Sequence, residues 1–181
     1  GGCAVRWRFR RTGKLTQRGV DRRIVQNATA FAQTRKTHEE FCELVEAHAG
    51  FELVDTPMQS AFWLRNVKDA IGDIYVTLVM VCACNDTPIR MELDFAQVGG
   101  MEKGPLKFVE SLIPDLIRDA VEDNTTVRIT ARRIVCGLMA LCDSMELDFV
   151  ECVEQAYNEI KDRKGTLRED GVFVKEESVS P

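Results

Sequence analysis

Between Val67 and Cys84, apolar side chains wrap almost the whole way round a helical wheel. A helix that is apolar on every side has to lie inside a protein, so the rest of the chain must fold around this segment. Yet the segment carries Asp69 and Asp73, four residues apart and therefore on one face. Ile71, Ile74, Tyr75 and Leu78 surround them with core. Carboxylates in such a place need cations or hydrogen bonds. These two acids are the strongest pointer to chemistry that the chain offers.

A second acidic face precedes them. Gln33 to Ala49 places Phe41, Leu44, Val45 and His48 on one stripe, the period of an amphipathic helix, and Gly50 is its expected stop. On this helix Glu40 and Glu43 sit three apart and project together. Residues 51–65 contain Pro57 and mixed polarity, and read mainly as a connection; Asn66 is the expected cap of the buried helix. Packed face to face, the two helices would make a cage of carboxylate oxygens suited to Mg²⁺, with Mn²⁺ as the alternative. Glu39 precedes the first pair and could orient or deprotonate a water. For Glu39, Glu40 and Glu43 alone, a solvated helix face would be the ordinary explanation. Asp69 and Asp73 shift the balance toward a metal site.

Asn85-Asp86-Thr87-Pro88 breaks the central helix, and Gly99-Gly100 with Gly104-Pro105 marks a further loop. Leu106, Val109, Leu112, Ile113, Leu116 and Ile117 recur at helical spacing, with Pro114 predicting a kink or a split. Asp123-Asn124-Thr125-Thr126 reads as a turn. Helices are predicted from about Thr130 to Cys142 and from about Phe149 to Lys164, where Gly165 ends the second. Thr166 to Val174 suits a short hairpin around Asp170-Gly171. Met91-Glu92-Leu93-Asp94-Phe95 recurs as Met145-Glu146-Leu147-Asp148-Phe149, each copy following an apolar helix that ends near a cysteine. This suggests a degenerate repeat, in which the helices at 105–120 and 130–142 copy those at 33–49 and 67–84. Chance similarity of a five-residue string is the alternative. In the second copy the acids are mostly gone, and Arg132-Arg133 fall roughly where Asp69 and Asp73 would lie.

Charge and cysteine usage exclude several function classes. The net charge of −5 is uneven: residues 1–24 carry eight cationic side chains against Asp21, a local +7 on a body of −12. Such an arm can bind nucleic acid, but with no recognition motif and an acidic body, nucleic acid is not the expected partner. A tail or a cleavage remnant (Gly1-Gly2 resembles a scar) is the plainer reading. Seven cysteines, an odd count set mostly within apolar helical patterns, suit a reducing cytosol. Two histidines and no CxxC pair argue against zinc or a histidine triad. The longest apolar run is too short to span a bilayer, and no signal peptide is read.

Three segments carry a family resemblance. Gln33-x-x-Lys36-x-x-Glu39-Glu40-x-x-Glu43-Leu44 resembles the EExxE helix of the all-α MazG-like nucleotide pyrophosphohydrolases, relatives of the dimeric dUTPases. Asp69-Ala70-Ile71-Gly72-Asp73 resembles their second acidic helix. Ala156 to Gly165 resembles the C-terminal helix of phage and bacterial members, and Arg23 to Asn27 resembles the segment leading into the first acidic helix. The resemblance covers about 17–87 and 144–175. It implies an antiparallel helical bundle, a carboxylate-bound Mg²⁺, and hydrolysis of a nucleoside triphosphate to the monophosphate and pyrophosphate in the cytoplasm of a bacterial or phage-infected cell. By matching positions, Glu40, Glu43 and Asp73 would be ligands, and Lys161, Arg163 and Lys164 would meet phosphates. Asn158 would contact sugar or base, and Asn27, Gln33 and Lys36 would line the pocket.

Two departures stand out. The family's second helix reads ExxD, and the Glu position here is Ala70, so Asp69 is the expected substitute. Residues 88–143 exceed the usual link. Since family members assemble from paired subunits, the expectation is a homodimer or a fused pseudo-dimer with one working and one decayed site. The expected organisation is a basic segment at 1–20, a helical domain at 21–175 with an insertion or degenerate repeat at about 88–143, and a frayed end at 176–181.

Overall fold

The computed structural model describes residues 29–85, 100–122, 126–161, 165–167 and 173–175. These hold five α-helices, one 3-10 turn and one two-stranded hairpin: α1 (Ala30–Leu53), α2 (Pro57–Cys84), the turn Met101–Lys103, α3 (Pro105–Val121), α4 (Val127–Ser144), α5 (Phe149–Lys161), β1 (Gly165–Leu167) and β2 (Phe173–Lys175). The fold is all-α, with the antiparallel β1–β2 pair as a small appendage in the register Thr166 to Val174.

Helix α1 starts where Thr29 accepts a hydrogen bond from the Ala32 amide on its side-chain oxygen. It runs through Gly50, which is not the stop the sequence suggested. A Cβ at Gly50 would collide with the Trp63 ring of α2, so the glycine lets the two helices meet closely near the tip of their hairpin. The sequence reading of 51–65 as a connection is also corrected. Only 54–56 link the helices, and α2 begins at Pro57. Pro57 loses no helical hydrogen bond at that position, and the Thr56 oxygen accepts from the Gln59 amide at 3.4 Å. Asn66 lies inside α2.

The 67–84 stretch of α2 forms the centre of the bundle, with Val67, Ile71, Ile74, Tyr75 and Leu78 fully buried. α1 and α2 form an antiparallel hairpin, pinned inside by a 2.9 Å hydrogen bond from the Thr37 hydroxyl to the Thr77 hydroxyl. α3 and α4 form a second antiparallel hairpin. Here Asp119, buried, accepts from the Thr130 hydroxyl at 2.8 Å, and Gly137 gives room to Phe108 and Val109. Pro114 sits within α3 without splitting it. The second hairpin covers the first, α3 against α1 and α4 against α2.

At the end of α4 the chain turns sharply. Leu147 N–H donates to the Cys142 carbonyl at 2.8 Å, and Glu146 takes a left-handed conformation with φ 56°. Asp148 then caps α5, its Oδ1 accepting from the Val150 and Glu151 amides. α5 lies against α2, where Tyr75 and Phe149 meet edge to face at 5.7 Å and Lys68 pairs with Glu151 at 3.2 Å. The crossing point is Gly72: a Cβ there would collide with the Cys152 carbonyl and stand 2.7 Å from the Ala156 Cβ.

Candidate functional site: an acidic face between two helices

The Thr37–Thr77 bond fixes the rotation of α1 against α2. Glu40 lies one turn beyond Thr37, and Asp73 one turn before Thr77. That register brings the two acidic pairs toward each other. The effect is written on Glu40. Burial first, then the carboxylates of Asp73 and Glu43, and in smaller measure Asp69, raise its carboxyl from 4.5 to about 7; Lys36, one turn earlier on α1, pulls the other way. Four acids and one lysine therefore share one electrostatic neighbourhood.

Asp69 and Ala70 sort as the packing requires. Ala70 is buried in the core, whereas Asp69 is partly exposed and its charge reaches Glu40. The second helix thus presents Asp69 and Asp73 together. On α2 they lie between the stripe that meets α1 through Thr77 and the stripe that meets α5 through Gly72 and Tyr75.

The four carboxylates share a field without yet sharing a point. Among the described residues no group of three or more His, Cys, Asp or Glu side chains stands close enough to hold a metal ion. The donor set fits Mg²⁺ in kind, since all four are hard oxygens and Glu40 is held toward its protonated form by burial and by its acidic neighbours. Gathering them on one ion needs side-chain rotation, most readily of exposed Glu43 and half-buried Glu40.

The remaining candidates divide. Glu39 is exposed, and is not among the charges that act on Glu40. Gln33 is buried, so it belongs to the packed start of α1. Lys161 is half-buried in the last turn of α5, five residues beyond Ala156 at the Gly72 crossing, about 8 Å along the helix axis. Asn158 is exposed on the same helix. Asn27, Arg163, Lys164, the basic arm and the first Met-Glu-Leu-Asp-Phe string lie outside the described residues.

Sequence reading missed Lys68 and Gly72, which seat α5 beside the acidic face. A glycine in the middle of an otherwise apolar helix was the available signal for Gly72.

Compared with family models, with curated proteins and with solved structures, the chain matches none. No helix among the described residues is long and apolar enough to cross a membrane.

Proposed function

We propose that this chain is a Mg²⁺-dependent nucleotide pyrophosphohydrolase of the MazG-like type, cleaving a nucleoside triphosphate to the monophosphate and pyrophosphate. One observation supports the reading: burial, with acids from two helices around it, raises the Glu40 carboxyl to about 7. A divalent cation would offset the repulsion among these carboxylates, and strongly shifted carboxyls gather at functional sites. Glu40, Glu43, Asp69 and Asp73 would hold the ion, with Asp69 standing in for the side chain that Ala70 lacks. When bound, Mg²⁺ neutralises phosphate charge and acidifies water. Glu39, exposed beside this face, would accept a proton from the attacking water. Lys161, Arg163 and Lys164 would bind phosphates, Asn158 would contact sugar or base, and Lys36 and Gln33 would border the pocket with Asn27.

The packing of one helical hairpin on another supports an internal pseudo-dimer, in which α3 and α4 supply what a second subunit would otherwise bring. In that reading the second site has decayed, since Arg132 and Arg133 occupy α4 and Arg133 lies over the Phe108 ring at 5.6 Å.

A second reading is a non-catalytic helical module that binds nucleotide or a protein partner. The absence of a gathered ligand set among the described residues favours it. One experiment separates the two. The protein is incubated with Mg²⁺ and a panel of canonical, deoxy and modified triphosphates, and pyrophosphate is assayed against orthophosphate. Turnover that falls at least about a hundredfold, on the order of 3 kcal/mol of barrier, in Glu40→Ala and in Asp73→Ala supports the enzyme. Nucleotide binding without pyrophosphate release supports the module.

A further inference from the structure

Between α1 and α3 the surface opens into a groove of about 670 Å³, on the flank of α1 away from the acids. His38, Cys42 and Val45 line it, each two residues from Lys36, Glu40 or Glu43 and so roughly 160° round the helix from them. Phe41 and Ile113, both buried, form its floor, and Val45 leaves 39% of its surface uncovered there. Pro114 and Ile117 continue the apolar wall along α3. Pro114 also changes the chemistry of that wall. It has no N–H, so the Glu110 carbonyl, one turn earlier, is denied the helical hydrogen bond that residue 114 would otherwise donate. A backbone acceptor is thus left open beside the exposed Glu110 carboxylate, and both border the groove. Arg118, at the same wall, is engaged by Asp115 at 3.2 Å and by Asp119 at 3.8 Å. With that guanidinium offset by its own helix, Glu110 sets the sign of the groove.

We propose that this groove binds a small amphipathic cation, an apolar or aromatic body carrying one primary ammonium. The body lies on Phe41, Val45, Ile113 and Ile117. The ammonium donates to the Glu110 carbonyl and pairs with the Glu110 carboxylate. An ammonium suits that place because it has three N–H donors and no acceptor, and the groove offers it two oxygens. An anion would meet the Glu110 charge with nothing to offset it. A neutral apolar molecule would cover the open carbonyl and leave it without a donor, which costs free energy. The size of the groove and its lining, mostly apolar with a few polar groups, match those of sites that hold small molecules. The inference does not rest on the proposed hydrolysis: the two sites lie on opposite flanks of α1, and binding is read without nucleotide or metal.

The test uses the whole chain at neutral pH, with naphthylmethylamine as the probe and naphthoate, the same ring bearing a carboxylate, as its control. Binding is measured by titration calorimetry. The amine is expected to saturate one site with a Kd on the order of 0.1–1 mM, and to bind at least about tenfold tighter than the carboxylate. Exposed Cys42 borders the groove, so saturating amine is expected to slow its alkylation by iodoacetamide, mapped by mass. Two variants locate the ammonium. Glu110→Gln is expected to weaken the amine about three- to fivefold, as an exposed ion pair is lost. Pro114→Ala restores an N–H for the Glu110 carbonyl, and is expected to weaken the amine at least about tenfold while melting no lower than wild type. That variant separates loss of the acceptor from loss of the fold. The proposal is overturned by no binding up to 10-fold above about 1 mM, by equal or tighter binding of the carboxylate, or by amine binding that spares Cys42 and ignores both substitutions. It is also overturned if the groove proves occupied by a second copy, seen as a dimer in sedimentation that Val45→Glu dissociates.

Discussion

Replacing Glu40 by Gln keeps its shape and removes the charge that burial and its acidic neighbours resist. In the folded chain this carboxyl titrates near 7 instead of 4.5. Below pH 4.5 it is protonated whether the chain is folded or not, and it costs nothing. Between 4.5 and 7 the folded state holds a proton that the unfolded state releases, so stability falls as pH rises. Above 7 the full penalty applies. The difference between the two values corresponds to about 3 kcal/mol. Solvent screening of a side chain only partly buried cuts that to roughly half, so about 1.5 kcal/mol. In a chain of this size that is about 3–6 °C in melting temperature. The assay is thermal unfolding followed by circular dichroism from pH 4.5 to 8.5, without divalent cation. Glu40→Gln is expected to melt with wild type at the acid end and above it at pH 8. Millimolar Mg²⁺ is expected to raise the wild-type midpoint at pH 8 and to close the gap between the two proteins. If both melt with the same pH dependence, Glu40 is not held by its neighbours and the acidic face is an ordinary surface.

Two further substitutions probe the scaffold. Gly72→Ala is expected to cost about 2–3 kcal/mol in urea unfolding, because its methyl meets the Cys152 carbonyl and the Ala156 Cβ; a cost below 0.5 kcal/mol would place α5 elsewhere. Glu146→Gly is expected to stabilise by about 0.5–1 kcal/mol in the same assay, since φ 56° strains any residue with a Cβ; a loss of stability would mean the Glu146 side chain matters to the α4–α5 turn.

The register of the acidic face was legible in the sequence for a simple reason. Helical periodicity is local, so Glu40 with Glu43, and Asp69 with Asp73, were bound to share faces once each segment was helical. The C-terminal hairpin was legible for the same kind of reason: two short runs flank an Asp-Gly turn signal, and they pair as β1 and β2. The errors arose where a local signal had two meanings. Gly50 read as a stop because glycine weakens helices, but here it makes room for Trp63. Pro57 read as a breaker, although Thr56-Pro57-Met58-Gln59 is also the start signal of a capped helix, and that meaning prevails.

By itself, then, the sequence determined that the chain is helical, that one helix must be central, and that two pairs of acids each project from one side of a helix. Only tertiary structure decided that those sides meet. The buried Thr37–Thr77 bond sets the rotation of α1 on α2, and Gly72 with Lys68 seats α5 alongside. Such contacts join residues forty or eighty positions apart, and no periodicity within one segment encodes which face of another it will touch. Ala70 shows the difference in one residue. Its place in the motif is read from the chain, but its burial, with the charge of Asp69 felt at Glu40, follows only from how the helices pack.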